Sequence, residues 1–418
     1  MSDELISILV LVVVFVIATT RSINMGALSF AAAFGVGELV AGFDADQIFA
    51  GFPGDLFVVL VGVTYLFALA RANGTTDWLV HAAIRLVGGR VALIPWVMFA
   101  ISGVLTAIGA VSPAAVAIVA PLALSFAARY AISPLLMGAM VVHGAQGGGF
   151  SPISIYGSIV NGIVEREKLP GNEVTLFLAS LVVNLLIAAV VFVVCGGLKL
   201  PRTDTAADAK EDAAPDADTR LTPARAATLV ALVALVVAVL VFDQDAGLTA
   251  ITLAVALSVV WPDHGKRAVN EVTWPTVLLI CGVLTYVGVL DEMGTITYAG
   301  NAVTDIGVPL LAALLLCYIG AIISAFASSV GIMGALIPLA VPFLAQGDIG
   351  AVGMIAALTV SATVVDVSPF STNGALVLAA APDVDRDRFF RQLMIYGGIM
   401  VVVVPAAVWL TMVVPGLG

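Results

Sequence analysis

The chain is poor in charge, histidine and cysteine. Only 11% of its 418 residues are Asp, Glu, Lys or Arg, and it carries three histidines and three cysteines. Soluble domains of ordinary composition have about 25% charged residues, so this chain cannot cover itself with a normal water-facing surface. Cys195, Cys281 and Cys317 each lie in an apolar run. That excludes a disulfide framework and a cysteine metal cluster, and leaves them as small hydrophobes. Gly147-Gly148-Gly149 is too short, and lacks the lysine, for a phosphate-binding loop. Lys and Arg number 17 against 28 Asp and Glu, and the net charge of −11 falls in loops and a linker. A nucleic-acid surface is excluded with it.

What the chain has in quantity is apolar length. Hydrophobic residues make up 61% of it, and the mean hydropathy is +1.13. Leu5–Thr20, Val174–Cys195, Ala226–Phe242 and Met394–Val414 are runs that can cross about 30 Å of hydrocarbon. The fold class is an all-α polytopic membrane protein. Asp3 and Glu4 precede the first run where a signal peptide has basic residues, so that run reads as a retained span.

Residues 149–157 and 366–374 are two copies of one segment. Ser151, Pro152, Ser154 and Gly157 recur as Ser368, Pro369, Ser371 and Gly374, 217 positions later. The same offset pairs Gly103 with Gly320, Ser112 with Ser329, Pro121 with Pro338 and Met137 with Met354. A polar stretch rich in Asp, Ala, Thr and Lys divides the copies. The expected organisation is a first transmembrane repeat over 1–200, a disordered cytoplasmic linker over 201–222, and a second repeat over 223–418.

Segments 92–128 and 308–346 are too long for one span and too short for two with a loop. Each has a polar break at its middle and reads as a re-entrant helical hairpin. Segments 134–164 and 350–382 read as helices broken near the midplane. Irregular backbone at that depth is tolerated only inside protein or around a cavity. With five crossings per repeat the second copy is inverted. Fifteen of the 17 Lys and Arg then fall on one side, with Arg166 and Lys168 on the other. The crowded side is cytoplasmic by the positive-inside rule, and both termini lie outside.

Paired broken helices in a repeated membrane protein point to a transport site. Ser112-Pro113, Ser151-Pro152 and Ser368-Pro369 read as capping hydroxyls ahead of a proline at the first helical position. Helix starts gathered at the midplane attract a small anion, and freed carbonyls with Ser and Asn oxygens suit a hard cation. Gly147-Gly148-Gly149 lets the backbone adopt positive φ and approach a ligand closely. Asp366, in an apolar helix, is a functional acid by default: a Na⁺ ligand, a proton carrier, or a cap on nearby N–H groups. His143 and Gln146 precede the first break, and His143 reads as a hydrogen bonder in helix packing. Ser133-Pro134, near the surface, reads as a plain helix start. An intramembrane hydrolase using Ser151 or Ser154 with His143 is disfavoured, because the duplication would supply a nucleophile and base in one copy only.

These motifs resemble the ion transporter superfamily. Its divalent anion:sodium symporters carry Ser-Asn-Thr at each hairpin tip, ten residues before a proline. Here the matching positions are Val111-Ser112-Pro113 and Ser328-Ser329-Val330, which keep the serine alone. The stretch from Asp366 to Leu376 more closely resembles malonate and dicarboxylate carriers of the MatC type. The resemblance implies a homodimeric elevator in which hairpins and broken spans carry substrate past a scaffold. It implies substrate contacts at Ser112, Ser151, Ser154, Ser328, Ser329, Ser368, Ser371, Thr372 and Asn373. It also implies cation contacts at the carbonyls of Ala110, Gly147, Gly149 and Ala327, beside the Asp366 carboxyl singled out above. The expected function is secondary active transport of a small dicarboxylate coupled to Na⁺ or H⁺, with no enzymatic activity and no cofactor beyond the ion. A Na⁺/H⁺ antiporter of the same superfamily is the alternative.

Overall fold

The computed structural model describes residues 2–21, 23–85, 90–200, 220–242, 244–296, 298, 309–325, 329–344, 349–381 and 384–416. Most of the expected linker, the tip of the second hairpin and most of 294–305 lie outside them. Among the described residues every regular element is helical. The first repeat holds α1 (Asp3–Arg21), α2 (Met25–Leu39), α3 (Ala45–Ala50), α4 (Gly54–Ala72), α5 (Thr75–Arg85), α6 (Ile94–Ala107), α7 (Ser112–Arg129), α8 (Pro134–Gly148), α9 (Ile155–Arg166) and α10 (Glu173–Val194). The second holds α11 (Pro223–Leu240), α12 (Ala246–Val260), α13 (Pro262–Asn270), α14 (Trp274–Glu292), α15 (Pro309–Ser324), α16 (Ser329–Leu344), α17 (Ala351–Val364), α18 (Thr372–Ala380) and α19 (Arg386–Val408). The short helices α3 and α13 were not expected from sequence. Asp44 builds a capping box on Gln47 that starts α3, and Pro262 opens α13.

Six of the described helices are long and apolar enough to cross a membrane: α4, α7, α10, α11, α14 and α19 with its continuation to Val413. Their polarity is inside-out relative to a soluble bundle. Along α10 the buried side includes Ser180 and Asn184, while Leu178, Leu186 and Val190 face outward. Outward Leu and Val are favourable only against lipid. The protein is a multi-pass membrane protein.

Contacts between named residues fix the direction of the repeats. α2 runs parallel to α14, since Gly26 meets Leu278 and Gly37 meets Val289. α4 runs parallel to α12: Val59 meets Gly247, and Tyr65 and Ser258 share a 2.7 Å hydrogen bond. α4 and α14 run opposite ways. Gly51, just before α4, packs on Thr285 and Gly288 near the end of α14. Arg71, at the end of α4, bonds Glu271, just before α14, at 2.7 Å. Because α4 and α14 are counterparts, the second repeat is inverted. Glycine makes these crossings possible. A Cβ on Gly26 would strike the Leu278 carbonyl, and one on Gly282 the Gly26 carbonyl.

The first hairpin stops part-way. α6 has 14 residues, about 21 Å of rise, and lies along α8 with Phe99 on Gly144 and Gly103 on Gly148. The chain turns at Gly109, whose φ of +116° suits only glycine, and returns as α7. Residues 136–148 of α8 and 353–364 of α17 are buried on every side, so these two helices form the centre. Ridge contacts across the repeats are reciprocal: α7 packs on α18 as α16 packs on α9.

Arg166, at the end of α9, donates to the Gly51 carbonyl at 2.8 Å. Beside it, burial and then the Asp291 carboxylate push Glu167 above the usual carboxylate range, with Arg166 partly opposing. The folded state therefore holds this proton more tightly than the unfolded chain. The associated stability is present at low pH and is lost as pH rises through the raised value. Glu167→Gln should match the wild-type melting temperature at low pH and exceed it at neutral pH, read from melting curves across pH in detergent. Separately, Arg71→Cys with Glu271→Cys, both exposed and facing each other, should be bridged intramolecularly by a short bismaleimide, seen as a gel-mobility shift. A parallel arrangement of the repeats would give none.

Candidate functional site

The two breaks are built alike. α8 passes to α9 through residues 149–154, and α17 to α18 through 365–371. The capping hydroxyls are Ser154 and Ser371, not the serines ahead of the prolines. Ser154 Oγ accepts from Gly157 N–H at 3.2 Å, and Ser371 Oγ from Gly374 N–H at 3.4 Å. Each hydroxyl also donates back, to the Ser151 and Ser368 carbonyls, both at 2.7 Å. Pro152 and Pro369 set the dihedral of the intervening turn, and the helices begin only three residues later, at Ile155 and Thr372. Ser112 is likewise the first residue of α7 behind an N-cap of Val111, with no side-chain cap. Ser133 does cap α8, through Leu136 N–H.

The glycine triplet also departs from expectation, because none of Gly147, Gly148 and Gly149 has positive φ. Their smallness is what counts. A Cβ on Gly148 would collide with the Gly103 carbonyl and the Thr106 hydroxyl, so glycine lets the hairpin lie against α8. Gly147 sits inside α8 against α10, and the Gly149 carbonyl already accepts from Ser154 Oγ and Gly157 N–H.

Asp366 is 4% exposed and stands at the centre. Its Oδ2 accepts from Gln146 Nε2 at 3.1 Å and from Asn373 Nδ2 at 2.9 Å. Its Oδ1 accepts a long bond from Asn373 N–H at 3.4 Å. Asn373 Nδ2 reaches Ser112 Oγ at 2.8 Å, and Ser112 interacts with the Tyr156 hydroxyl. One cluster thus joins the tip of the first hairpin, both broken helices and both repeats. Every partner of Asp366 is a donor, the arrangement of an ionised carboxylate. The amide oxygens Gln146 Oε1 and Asn373 Oδ1 are buried with no hydrogen-bond partner among the described residues.

The other expected site residues fall around this cluster. Ser151 donates to the Ala107 carbonyl at 2.6 Å, tying the break to the hairpin, and Ala110 is buried at the tip. Ser368 accepts from Phe370 N–H at 3.3 Å and backs onto Gly397 of α19. Ser329 accepts from Ser324 Oγ at 2.8 Å at the start of α16. Thr372 is exposed. Ala327 and Ser328 lie outside the described residues. Sequence reasoning did not name Gln146 or Tyr156 as site residues. Tyr156 could have been found as the counterpart of Asn373, 217 positions earlier, and Gln146 as a buried amide one turn before the first break.

A buried, amide-bound carboxylate between inverted, lipid-faced repeats defines the class: a polytopic membrane protein with a transporter's fold. The YdaH transporter of Alcanivorax borkumensis, whose crystal structure is described as revealing an unusual topology, superposes with a TM-score of 0.64 over 98% of each chain at 16% identity. More particularly, residues 1–149 match the family model described as the dicarboxylate carrier protein MatC N-terminus. That match ends at Gly149, the first break, and covers the first hairpin, so the resemblance to MatC-type carriers holds for this part of the chain. No curated protein matches the sequence.

Asn373→Leu would take the amide donor away from Ser112 and remove one donor, Nδ2–H, from Asp366, while the backbone N–H stays in place. It should lower stability by about 1–3 kcal/mol, whereas exposed Thr372→Ala should change it by less than about 0.5 kcal/mol. Melting of the purified protein in detergent distinguishes the two.

Proposed function

We propose that the chain is a secondary active transporter of a small dicarboxylate, malonate- or succinate-like, coupled to Na⁺ or H⁺. The observation that carries this reading is the Asp366 cluster. A charge at membrane depth costs about 2.5–3.5 kcal/mol on insertion scales and is retained where it serves an ion or substrate path. Two partnerless amide oxygens beside a carboxylate are the donor set a hard cation takes, and the same carboxylate is the natural proton acceptor. The match of residues 1–149 to a dicarboxylate carrier family supports the substrate class.

Asp366 also bears on where the anion goes. The N-terminus of α18 already faces this carboxylate through Asn373 N–H. Substrate carboxylates are therefore better received at the starts of α7, α9 and α16, with Ser112, Ser151, Ser154 and Ser329 nearby, and Ser328, Ser368, Ser371 and Asn373 completing the chamber. Exposed Thr372 contributes at its mouth. The Gly149 carbonyl is engaged, so cation contacts beyond the amide oxygens come from Ala110, Gly147 or Ala327. In this reading hairpins and broken helices move as an elevator against the outer spans of a homodimer in the plasma membrane. The linker is cytoplasmic, the termini are outside, and the chain is a carrier rather than an enzyme. The domain division stays at 1–200, 201–222 and 223–418.

In proteoliposomes, labelled malonate or succinate should accumulate under an inward Na⁺ or H⁺ gradient. Absence of accumulation together with Na⁺-driven proton flux would instead establish the antiporter alternative. Asp366→Asn should abolish the ion dependence while inserting normally, and wild-type ion dependence in that variant would remove its coupling role. Ser371→Ala and Asn373→Ala should weaken substrate affinity more than Ser133→Ala, measured by competition with C2 to C6 carboxylates.

A further inference from the structure

α8 is buried from Leu136 to Gly148, yet it carries an imidazole that the proposed transport cycle does not use. His143 Nδ1 lies 2.8 Å from Asn184 Oδ1 of α10, and its Nε2 lies 2.5 Å from the Tyr396 hydroxyl of α19. The two rings meet edge to face, with centroids 5.9 Å apart. Asn184 Nδ2 donates to the Ser180 carbonyl at 2.9 Å, and Ser180 Oγ donates to the Gln146 carbonyl at 3.0 Å. Gln146 is the residue that donates to Asp366. The polar chain therefore runs from Tyr396 through His143, Asn184, Ser180 and Gln146 to the carboxylate.

The network assigns the tautomer. The Asn184 amide nitrogen is committed to Ser180, which leaves its oxygen facing Nδ1. An oxygen there requires Nδ1–H, so in the neutral ring Nε2 has a lone pair and accepts from the Tyr396 hydroxyl. A second proton on Nε2 would set two hydrogens against each other across 2.5 Å unless the hydroxyl turned away. The titratable groups in the network are Tyr396, against which Cys195 of the α10 end acts, and Asp366, reached only through Gln146. Neither supplies a counter-charge in direct contact with the ring. The site is made for a neutral imidazole.

His143 and Gln146 are one turn apart on α8 and share a face. α10 and α19 are counterparts in the two repeats, so one side chain ties α8 to the same helix of both. The matching positions of α17 are Val360 and Thr363, so this tie exists only beside the first break. We propose that His143 is a positioning residue of the coupling site: a neutral, Nδ1-protonated pin that holds α8 between α10 and α19 and thereby presents Gln146 to Asp366. The role rests on the coupling assigned to Asp366 above, but the protonation state of the ring does not.

The test uses His143→Gln, Tyr396→Phe and, as reference, Asp366→Asn in reconstituted full-length protein. Loss of one link should raise the Na⁺ or H⁺ concentration for half-maximal malonate uptake roughly 3- to 10-fold, more than it alters the maximal rate. Tyr396→Phe keeps the ring volume, so a folding defect in the histidine variant would not decide the matter. The shape of the pH profile should survive both substitutions. A limb of that profile lost with His143→Gln would make the imidazole a proton carrier and overturn the proposal. So would unchanged ion dependence in both variants when Asp366→Asn abolishes it. If Asp366→Asn behaves as wild type, the coupling reading fails and takes the positioning role with it. Nitrogen-15 histidine NMR then still reads the ring, where Nδ1–H neutral imidazole is expected and imidazolium at neutral pH would refute the pin.

Discussion

Asp366 places a carboxyl group in a buried part of the protein, and the fold around it is arranged to make that tolerable. Gln146 comes from the first broken helix, Asn373 from the second, and Ser112 from the tip of the first hairpin. Asn373 is local to Asp366, whereas Gln146 and Ser112 reach the second break only because the two repeats pack together there. The cluster is therefore the point at which topology becomes chemistry. Removing the carboxylate leaves donors unpaired, and removing the donors leaves a charge uncompensated.

The inverted architecture is sustained by close backbone approach rather than by strong polar ties. Gly26 against Leu278, Gly62 against Gly247 and Gly148 against Gly103 let helices touch along their main chains, where van der Waals packing supplies the association that lipid cannot. Charged contacts stay at the ends, as in Arg71 with Glu271 and Arg166 with the Gly51 carbonyl. The break segments solve a related problem. Ser154 and Ser371 each accept one helix N–H and return their own hydrogen to a turn carbonyl, so main-chain groups freed at the break are satisfied locally.

The two breaks look equivalent in sequence but differ in what they offer a ligand. At the second, the carboxylate of Asp366 occupies the space before α18. At the first, the corresponding position is Gly149, and Tyr156 stands where the second repeat has Asn373. The two breaks are thus alike in backbone and unlike in charge, an asymmetry that suits the coupled carrier proposed above.

The sequence by itself determined the membrane class, the duplication, the inversion and both breaks. Apolar length, a charge asymmetry and a spacing of 217 residues are one-dimensional quantities that physics ties directly to spans and symmetry. The intramembrane acid was legible for the same reason, because its cost does not depend on its partners. Which serines cap was decided only by the tertiary structure: a Ser-Pro pair signals a helix start, but the turn ran three residues further and handed the role to Ser154 and Ser371. The glycine triplet was read for backbone freedom when its purpose is closeness to a neighbouring helix, which no local pattern encodes. The partners of Gln146 and His143 were not legible, because Gln146–Asp366 and His143–Tyr396 each span more than two hundred residues and arise from packing, which is not written in any one segment.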